Sequence, residues 1–167
     1  RQVRRSEGQR LREIGLELRE RLPRQRVHQV EVEGVEGARR LVDRRARLLK
    51  AMGRGIAVIP TAPERVRNRD SHYPYRHDSY FYYLSGFPEP EACVVLVAGD
   101  SPQALLFCRE KNPEKEVWDG FRHGPEAARE AFRFDAAYPI ASLDEKLAEL
   151  LAGQAVLHYS MGHDADW

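Results

Sequence analysis

Two segments in the first third of the chain carry apolar residues at helical spacing. Apolar side chains recur every three or four positions from Leu11 to Leu22, just before Pro23, and this pattern predicts an amphipathic helix. The same spacing over residues 37–52 predicts a second helix, ended by the GRG sequence that follows. Valines that alternate with polar residues over 24–36 predict a linker or a weak strand between the two helices.

Later in the chain the apolar residues form short continuous runs. Runs bounded by Gly, Pro and Asp predict strands of a sheet that is covered on both faces. Three such runs lie at 56–60, 92–97 and 104–108. A GDSP turn predicts that the last two pair as a hairpin. Helices are predicted from Pro125 and from a capping box of Ser142 and Glu145, and a final strand over 155–159. Because strands and helices alternate, we predict an α/β fold with a mixed sheet.

The charge of the chain is unevenly distributed. The net charge is +1, but residues 1–54 hold 16 basic and 8 acidic side chains, whereas residues 55–167 hold 11 and 18. The basic residues alternate with Glu and with helically spaced apolar residues, which is typical of solvated helix faces. An acidic body repels phosphate, so we expect no nucleic-acid partner. No apolar run reaches the roughly 18 residues of a membrane span, and we expect no membrane partner and no signal peptide.

The two cysteines indicate a reducing compartment. Cys93 and Cys108 both lie within apolar runs, which favours free buried thiols over a disulfide. Their spacing does not match the paired cysteines of zinc sites. We therefore expect a cytoplasmic protein.

Residues 67–91, RNRDSHYPYRHDSYFYYLSGFPEPE, form the segment richest in side chains capable of chemistry. Seven of these 25 residues are Tyr or Phe. A metal site is one interpretation, because Asp70 and His72 would point the same way on an extended backbone, but only these two ligands converge. Stacking of single-stranded nucleic acid is a second interpretation, which is disfavoured because acidic residues balance the basic ones.

A structural role is the interpretation that these residues favour. The aromatic run 80–84 predicts a strand, and the SGFPEP sequence after it predicts a turn into the next strand. On the extended chain Arg76 and Asp78 share one face. We expect them to pair, with at least one of the two largely buried and hydrogen-bonded to neighbours of the aromatic strand.

A longer pattern in the same segment is similar to a protein family. The string DSHYPYRHDSYFYYLSGFPEPEACVVL resembles the signature of the N-terminal domain of aminopeptidase P, the Xaa-Pro aminopeptidases of the creatinase and prolidase group. EVWDGFRHG at 116–124 resembles a second segment of that family, and the helix over 37–52 with the strand after it resembles its first helix and strand. The resemblance assigns structural roles to Tyr73, Pro74, Arg76, Asp78, Phe81, Tyr83, Gly86, Glu89, Pro90 and Glu91.

The resemblance implies a ribonuclease-H-like mixed sheet with flanking helices over residues 37–167. Residues 1–36 lie outside it and are expected to form a helical or loosely ordered extension. In the family, a separate C-terminal pita-bread domain holds two Mn²⁺ or similar ions on two Asp, one His and two Glu. We expect that domain outside this chain, and so expect no catalytic residue, cofactor or metal ligand here. His163, Asp164 and Asp166 are expected in an exposed loop or connector.

The resemblance also implies a function. The parent protein is expected to remove an N-terminal residue that precedes proline, while this domain contributes oligomer contacts and limits substrate access. Its partners are then the peptidase domain of the same polypeptide and further copies of the protein. Two alternatives remain open: a stand-alone interaction module that has lost its peptidase half, and the N-terminal domain of a prolidase or creatinase relative.

An exposed contact surface is expected around Trp118. This residue is flanked by charged side chains and followed by two glycines, which predicts an exposed loop rather than a core position. With Arg122 and His123 beside it, we expect Trp118 to meet a partner subunit or to border the substrate entrance. The alternative is that Trp118 folds back onto Phe121 of its own domain.

Overall fold

Residues 34–69 and 71–159 are described by the computed structural model of the protein, apart from the side chains at positions 34, 35 and 119. These residues form five α-helices and seven strands, and a short 3₁₀ helix precedes the last α-helix. In chain order the elements are α1 (Gly34–Met52), β1 (Gly55–Pro60), β2 (Val66–Asn68), β3 (Ser71–His72), α2 (Ser79–Ser85), β4 (Cys93–Ala98), β5 (Gln103–Cys108), α3 (Pro113–Asp119), α4 (Pro125–Phe132), β6 (Ala136–Pro139), α5 (Leu143–Leu151) and β7 (Leu157–Tyr159).

The main sheet has five strands in the order β6-β5-β4-β1-β7. The three central strands are antiparallel, since β4 pairs with both β1 and β5, and the two outer strands run parallel to their neighbours. Cys93 lies opposite Phe107 in the β4–β5 pair, which confirms the predicted hairpin. The predicted mixed sheet is therefore confirmed. A separate ribbon is formed by β2 and β3.

Helices cover both faces of this sheet because alternate strand residues point to opposite sides. Val94 and Leu96 join one apolar cluster with side chains from α1, α2 and α4. Val95 and Phe107 join a second cluster, against which α5 packs. The fully covered central strands explain the continuous apolar runs in the sequence. Among the described residues, no helix is long and apolar enough to cross a membrane.

The prediction of a strand over the aromatic run 80–84 is wrong, because these residues belong to helix α2. The Asp78 carboxylate accepts a hydrogen bond from the backbone N–H of Phe81 at 2.8 Å and caps the helix start. Gly86 ends the helix in the left-handed region at φ +66°, where a side chain would be strained. Phe81 and Leu84, three positions apart, lie buried on one helical face. Capping and burial here outweigh the strand preference of aromatic residues.

Arg45 of α1 ties two other helices together. Its guanidinium donates hydrogen bonds to the carbonyl oxygen of Leu84, near the end of α2, and to those of Phe132 and Arg133, at the end of α4. It also lies 4.2 Å from the ring centroid of Phe134. The last carbonyl groups of a helix have no hydrogen-bond donor within the helix, and the Arg45 guanidinium donates to such groups of both α2 and α4.

Several other boundaries refine the sequence predictions. The second predicted helix is confirmed and begins at Gly34, three residues earlier than predicted. Helices α4 and α5 and strand β7 are confirmed. The predicted capping box is wrong, since Ser142 makes no capping bond and its hydroxyl donates to the carbonyl oxygen of Pro139. The predicted helix over 11–22 and the acidic end of the chain lie outside the described residues.

Candidate functional site

An aromatic residue projects from the segment between β5 and α4. This segment, residues 109–124, is called the Trp118 loop below. Its short helix α3 starts at Asn112, whose side chain accepts a hydrogen bond from the backbone N–H of Lys115 at 3.1 Å, and ends at Gly120. The Trp118 side chain is 87% exposed, and its neighbour Val117 is also exposed. The exposure predicted for Trp118 is confirmed, although the residue lies in a helix and not in an irregular loop.

The base of the loop is charged and buried. The Glu89 carboxylate accepts a hydrogen bond from the backbone N–H of His123 at 2.8 Å, and the same oxygen, Oε1, lies 2.5 Å from Nδ1 of His123. The other oxygen, Oε2, lies 3.6 Å from Nη2 of Arg109. The side chains of Glu89 and Arg109 are only 7% and 8% exposed. One carboxylate therefore contacts both the first residue of the loop and a residue near its last.

Lys111 provides a second connection across the base. Its Nζ donates a hydrogen bond to the carbonyl oxygen of Arg122 at 3.0 Å and lies 3.4 Å from the Glu116 carboxylate. It also lies 4.3 Å from the ring centroid of Phe121. At Gly124, with φ +73°, a Cβ atom would lie 3.1 Å from the backbone nitrogen of Lys111. The two ends of the loop are thus in close backbone contact.

The His123 ring is packed among aromatic side chains. Its centroid lies 4.9 Å from that of Phe121, 5.3 Å from that of Phe132 and 5.7 Å from that of Phe87. Arg122 is buried, and His123 is partly buried. The three residues grouped in the sequence prediction are therefore separated: Trp118 lies at the exposed tip, whereas Arg122 and His123 lie at the base.

The profile of the family "Aminopeptidase P, N-terminal domain" matches residues 41–158. The chain belongs to this family. It is 39% identical over 125 residues to a Xaa-Pro aminopeptidase of Escherichia coli, a match that covers 73% of this chain and 28% of that protein. A match to "Intermediate cleaving peptidase 55, mitochondrial" of Arabidopsis thaliana is 32% identical over 111 residues and covers 66% of this chain and 22% of the relative. The chain thus spans under a third of the length of these relatives.

Solved aminopeptidase P structures share the fold. Zn-substituted aminopeptidase P of Escherichia coli in complex with product superposes with a TM-score of 0.74 at 37% identity, covering 77% of this chain and 30% of that one. The predicted fold class, a mixed sheet with flanking helices as in the aminopeptidase P N-terminal domain, is confirmed.

The family motif contributes to the core, to helix caps and to the surface. Five of its residues are exposed: Tyr73, Pro74, Arg76, Tyr83 and Glu91. Four are buried: Phe81, Gly86, Glu89 and Pro90. Asp78 is half-buried and caps α2. The burial expected for the pair of Arg76 and Asp78 is therefore not found, because the segment turns into a helix where an extended strand was predicted.

The described part of the domain offers no group of three or more His, Cys, Asp or Glu side chains arranged to hold a metal ion. Asp70, one half of the candidate pair with His72, lies outside the described residues, as do His163, Asp164 and Asp166.

The cysteine thiols are buried and free, as predicted. Burial raises the pKa of both Cys93 and Cys108 to about 12. Such thiols remain protonated at neutral pH and are poor nucleophiles. They are therefore core residues of the domain and not candidates for catalysis.

The sequence prediction missed the two basic residues of the loop base, Arg109 and Lys111. They follow the predicted strand 104–108 directly, and a charged pair after a buried strand marks where the chain leaves the sheet. Their partner Glu89 lies 20 positions before Arg109, so the contact depends on the tertiary fold.

Proposed function

We propose that this chain is the non-catalytic N-terminal domain of a Xaa-Pro aminopeptidase that acts in the cytoplasm. The relatives named Xaa-Pro aminopeptidase support the activity of the parent protein. We also propose that residues 1–36 are separable from the folded domain. Because helix α1 begins at Gly34, the deletion that tests this stops at residue 33, and it is expected to shift the melting temperature little.

In this proposal the peptidase domain of the same polypeptide supplies the chemistry. Two Mn²⁺ or similar ions held there activate the water that attacks the peptide bond before proline. The described residues of this chain do not fit such a site, because no set of three donor side chains converges among them. No chemical step is therefore assigned to this domain.

The observation that carries the domain's own role is the exposure of Trp118. A tryptophan that is 87% exposed on its own domain is typical of a contact surface, because burying its large apolar area against a partner is favourable. Val117 and Phe121 of the same loop are also exposed apolar side chains. Trp118 then borders the substrate entrance or contacts another subunit of a homo-oligomer, while Arg122 and His123 support it from the base.

The role of Trp118 is tested in a full-length protein that contains both this domain and a peptidase domain. Trp118→Ala is expected to lower kcat/KM on Xaa-Pro peptides by more than about fivefold, the effect of losing roughly 1 kcal/mol of contact energy. The melting temperature of the domain should stay unchanged, because the side chain makes little contact with its own domain.

A matched control is Tyr80→Ala, which removes another highly exposed aromatic side chain from a short helix of the same domain. It should leave turnover unchanged. Normal turnover of Trp118→Ala, combined with a clear fall in its melting temperature, would show that Trp118 serves only the stability of the domain.

The absence of chemistry in this domain has its own test. The purified 167-residue chain should not cleave Xaa-Pro peptides with or without added Mn²⁺. Metal-dependent cleavage that persists through further purification would contradict the assignment of the chemistry to the peptidase domain.

A further inference from the structure

The base of the Trp118 loop is built from buried ionic groups where apolar packing would be expected. Glu89 and Arg109 are almost fully buried, although each must give up its hydration to occupy this site. A buried ion pair is a weak source of net stability compared with apolar side chains of similar size. In several proteins buried polar or ionic groups restrict the fold to one geometry, since each charge must keep its partner. This property suits a site that has to hold a segment in a fixed direction.

The contacts of the Glu89 carboxylate hold both ends of the loop in place. One oxygen faces the backbone N–H and the ring of His123, and the other faces Arg109, 14 residues earlier in the chain. At 3.6 Å the contact with Arg109 is longer than a hydrogen bond and depends on charge. Lys111 closes the same base through the carbonyl oxygen of Arg122. Both ends of the loop are therefore connected to each other and to the turn after α2.

We propose that Glu89, assisted by Lys111, is a positioning residue that fixes the direction in which Trp118 projects from the domain. This inference deepens the proposed function and rests on it for its effect on peptide turnover. The fixed direction itself is a property of this domain and is testable in the 167-residue chain.

The first experiment measures order at the loop tip by ¹⁵N relaxation of the Trp118 backbone amide. Glu89→Gln keeps the shape of the side chain and an acceptor for the His123 N–H, but it removes the charge that faces Arg109. We expect the order parameter at Trp118 to fall from roughly 0.8 to below about 0.6, while the amides of β4 and β5 keep their values.

Two further variants make this result decisive. Glu126→Gln removes the same charge from an exposed position at the start of α4 and should leave Trp118 unchanged. Lys111→Met removes the hydrogen bond to the carbonyl oxygen of Arg122. Because Lys111 is half-exposed, this variant should still fold, and it tests the positioning of Trp118 if Glu89→Gln does not fold. Unchanged order at Trp118 in both Glu89→Gln and Lys111→Met would overturn the inference.

The second experiment measures turnover in the full-length protein. If Glu89 acts through Trp118, Glu89→Gln lowers kcat/KM, and the double variant with Trp118→Ala loses no more activity than Trp118→Ala alone. Losses that multiply in the double variant would show that Glu89 acts through general stability, and this result would also overturn the inference. If Trp118→Ala leaves turnover unchanged while Glu89→Gln disorders the tip, the proposed function fails and the positioning by Glu89 stands.

Discussion

Replacing Arg45 should destabilise the domain because its guanidinium serves two helices. The side chain is only 2% exposed and donates to three carbonyl oxygens, at 3.0 Å for Leu84, at 2.9 Å for Phe132 and more closely for Arg133. Arg45→Met keeps much of the apolar stem but leaves these oxygens without their donor. Two of the three hydrogen bonds are buried, so water cannot replace the donor there without opening the helix ends.

The magnitude follows from two opposed effects. Hydrogen bonds to a charged group contribute about 1.5–3 kcal/mol each, which gives about 4.5–9 kcal/mol for three. Burial lowers the pKa of Arg45 to about 10, with nearby Asp135 opposing the shift, and this lowering represents about 3 kcal/mol of lost hydration. The guanidinium remains charged at neutral pH. The difference between the two effects is about 1.5–6 kcal/mol, and we expect Arg45→Met to lower the free energy of unfolding by an amount in this range.

Urea unfolding followed by circular dichroism measures this change. Arg39→Met is the matched control, because it removes the same charge from an exposed position on the same helix and should change the free energy of unfolding by less than about 0.5 kcal/mol. Arg45→Lys should fall between the two, since one ammonium group cannot reach all three oxygens in the geometry of a guanidinium. Equal stabilities of Arg45→Met and Arg39→Met would refute the reasoning.

Three further predictions follow from the core. Gly86→Ala should lower the free energy of unfolding by about 2 kcal/mol, because φ at this position is +66° and the new Cβ would lie 2.8 Å from a methyl group of Leu41. Thermal or urea unfolding measures this change, and an unchanged free energy of unfolding would contradict the prediction. Burial raises the pKa of Tyr75 to about 12, so the stability that its neutral hydroxyl contributes is present below pH 10 and is lost between pH 10 and 12. Urea unfolding across this pH range should therefore show a smaller fall in the free energy of unfolding for Tyr75→Phe than for the parent chain. Parallel plots of that free energy against pH for the two proteins would refute this prediction. Cys93 and Cys108 should not react with a thiol reagent at pH 8 until denaturant is added, and rapid reaction of either in the folded protein would show that it is accessible.

The strands could be predicted from the sequence because a strand that is buried on both faces consists of a continuous run of apolar residues. The apolar runs at 92–97 and 104–108 supply nearly all of β4 and β5, and such runs are typical of strands covered on both faces. Helix α2 could not be predicted from its aromatic residues alone. Its decisive signals were Asp78 before the run and Gly86 after it, which cap a helix of seven residues.

The candidate site was predictable in part. Exposure of Trp118 followed from the charged residues around it, but helix α3 was missed although Asn112 and Pro113 form a recognisable start signal. The base could not be predicted from local sequence. Glu89 and His123 are 34 positions apart and meet only because the turn after α2 passes beside the start of α4.

The central claim, that the Trp118 tip faces the peptidase domain or a partner subunit, is tested most directly by cross-linking. Trp118 is replaced in the full-length protein with photo-reactive benzoylphenylalanine, and the cross-linked peptides are identified by mass spectrometry. A second sample carries the same group at Val66, which is also highly exposed and lies on the separate β2–β3 ribbon. We predict that position 118 cross-links to the peptidase domain or to another copy of the protein, at a yield well above that of position 66. Cross-links from position 118 that reach only residues of its own N-terminal domain would contradict the account.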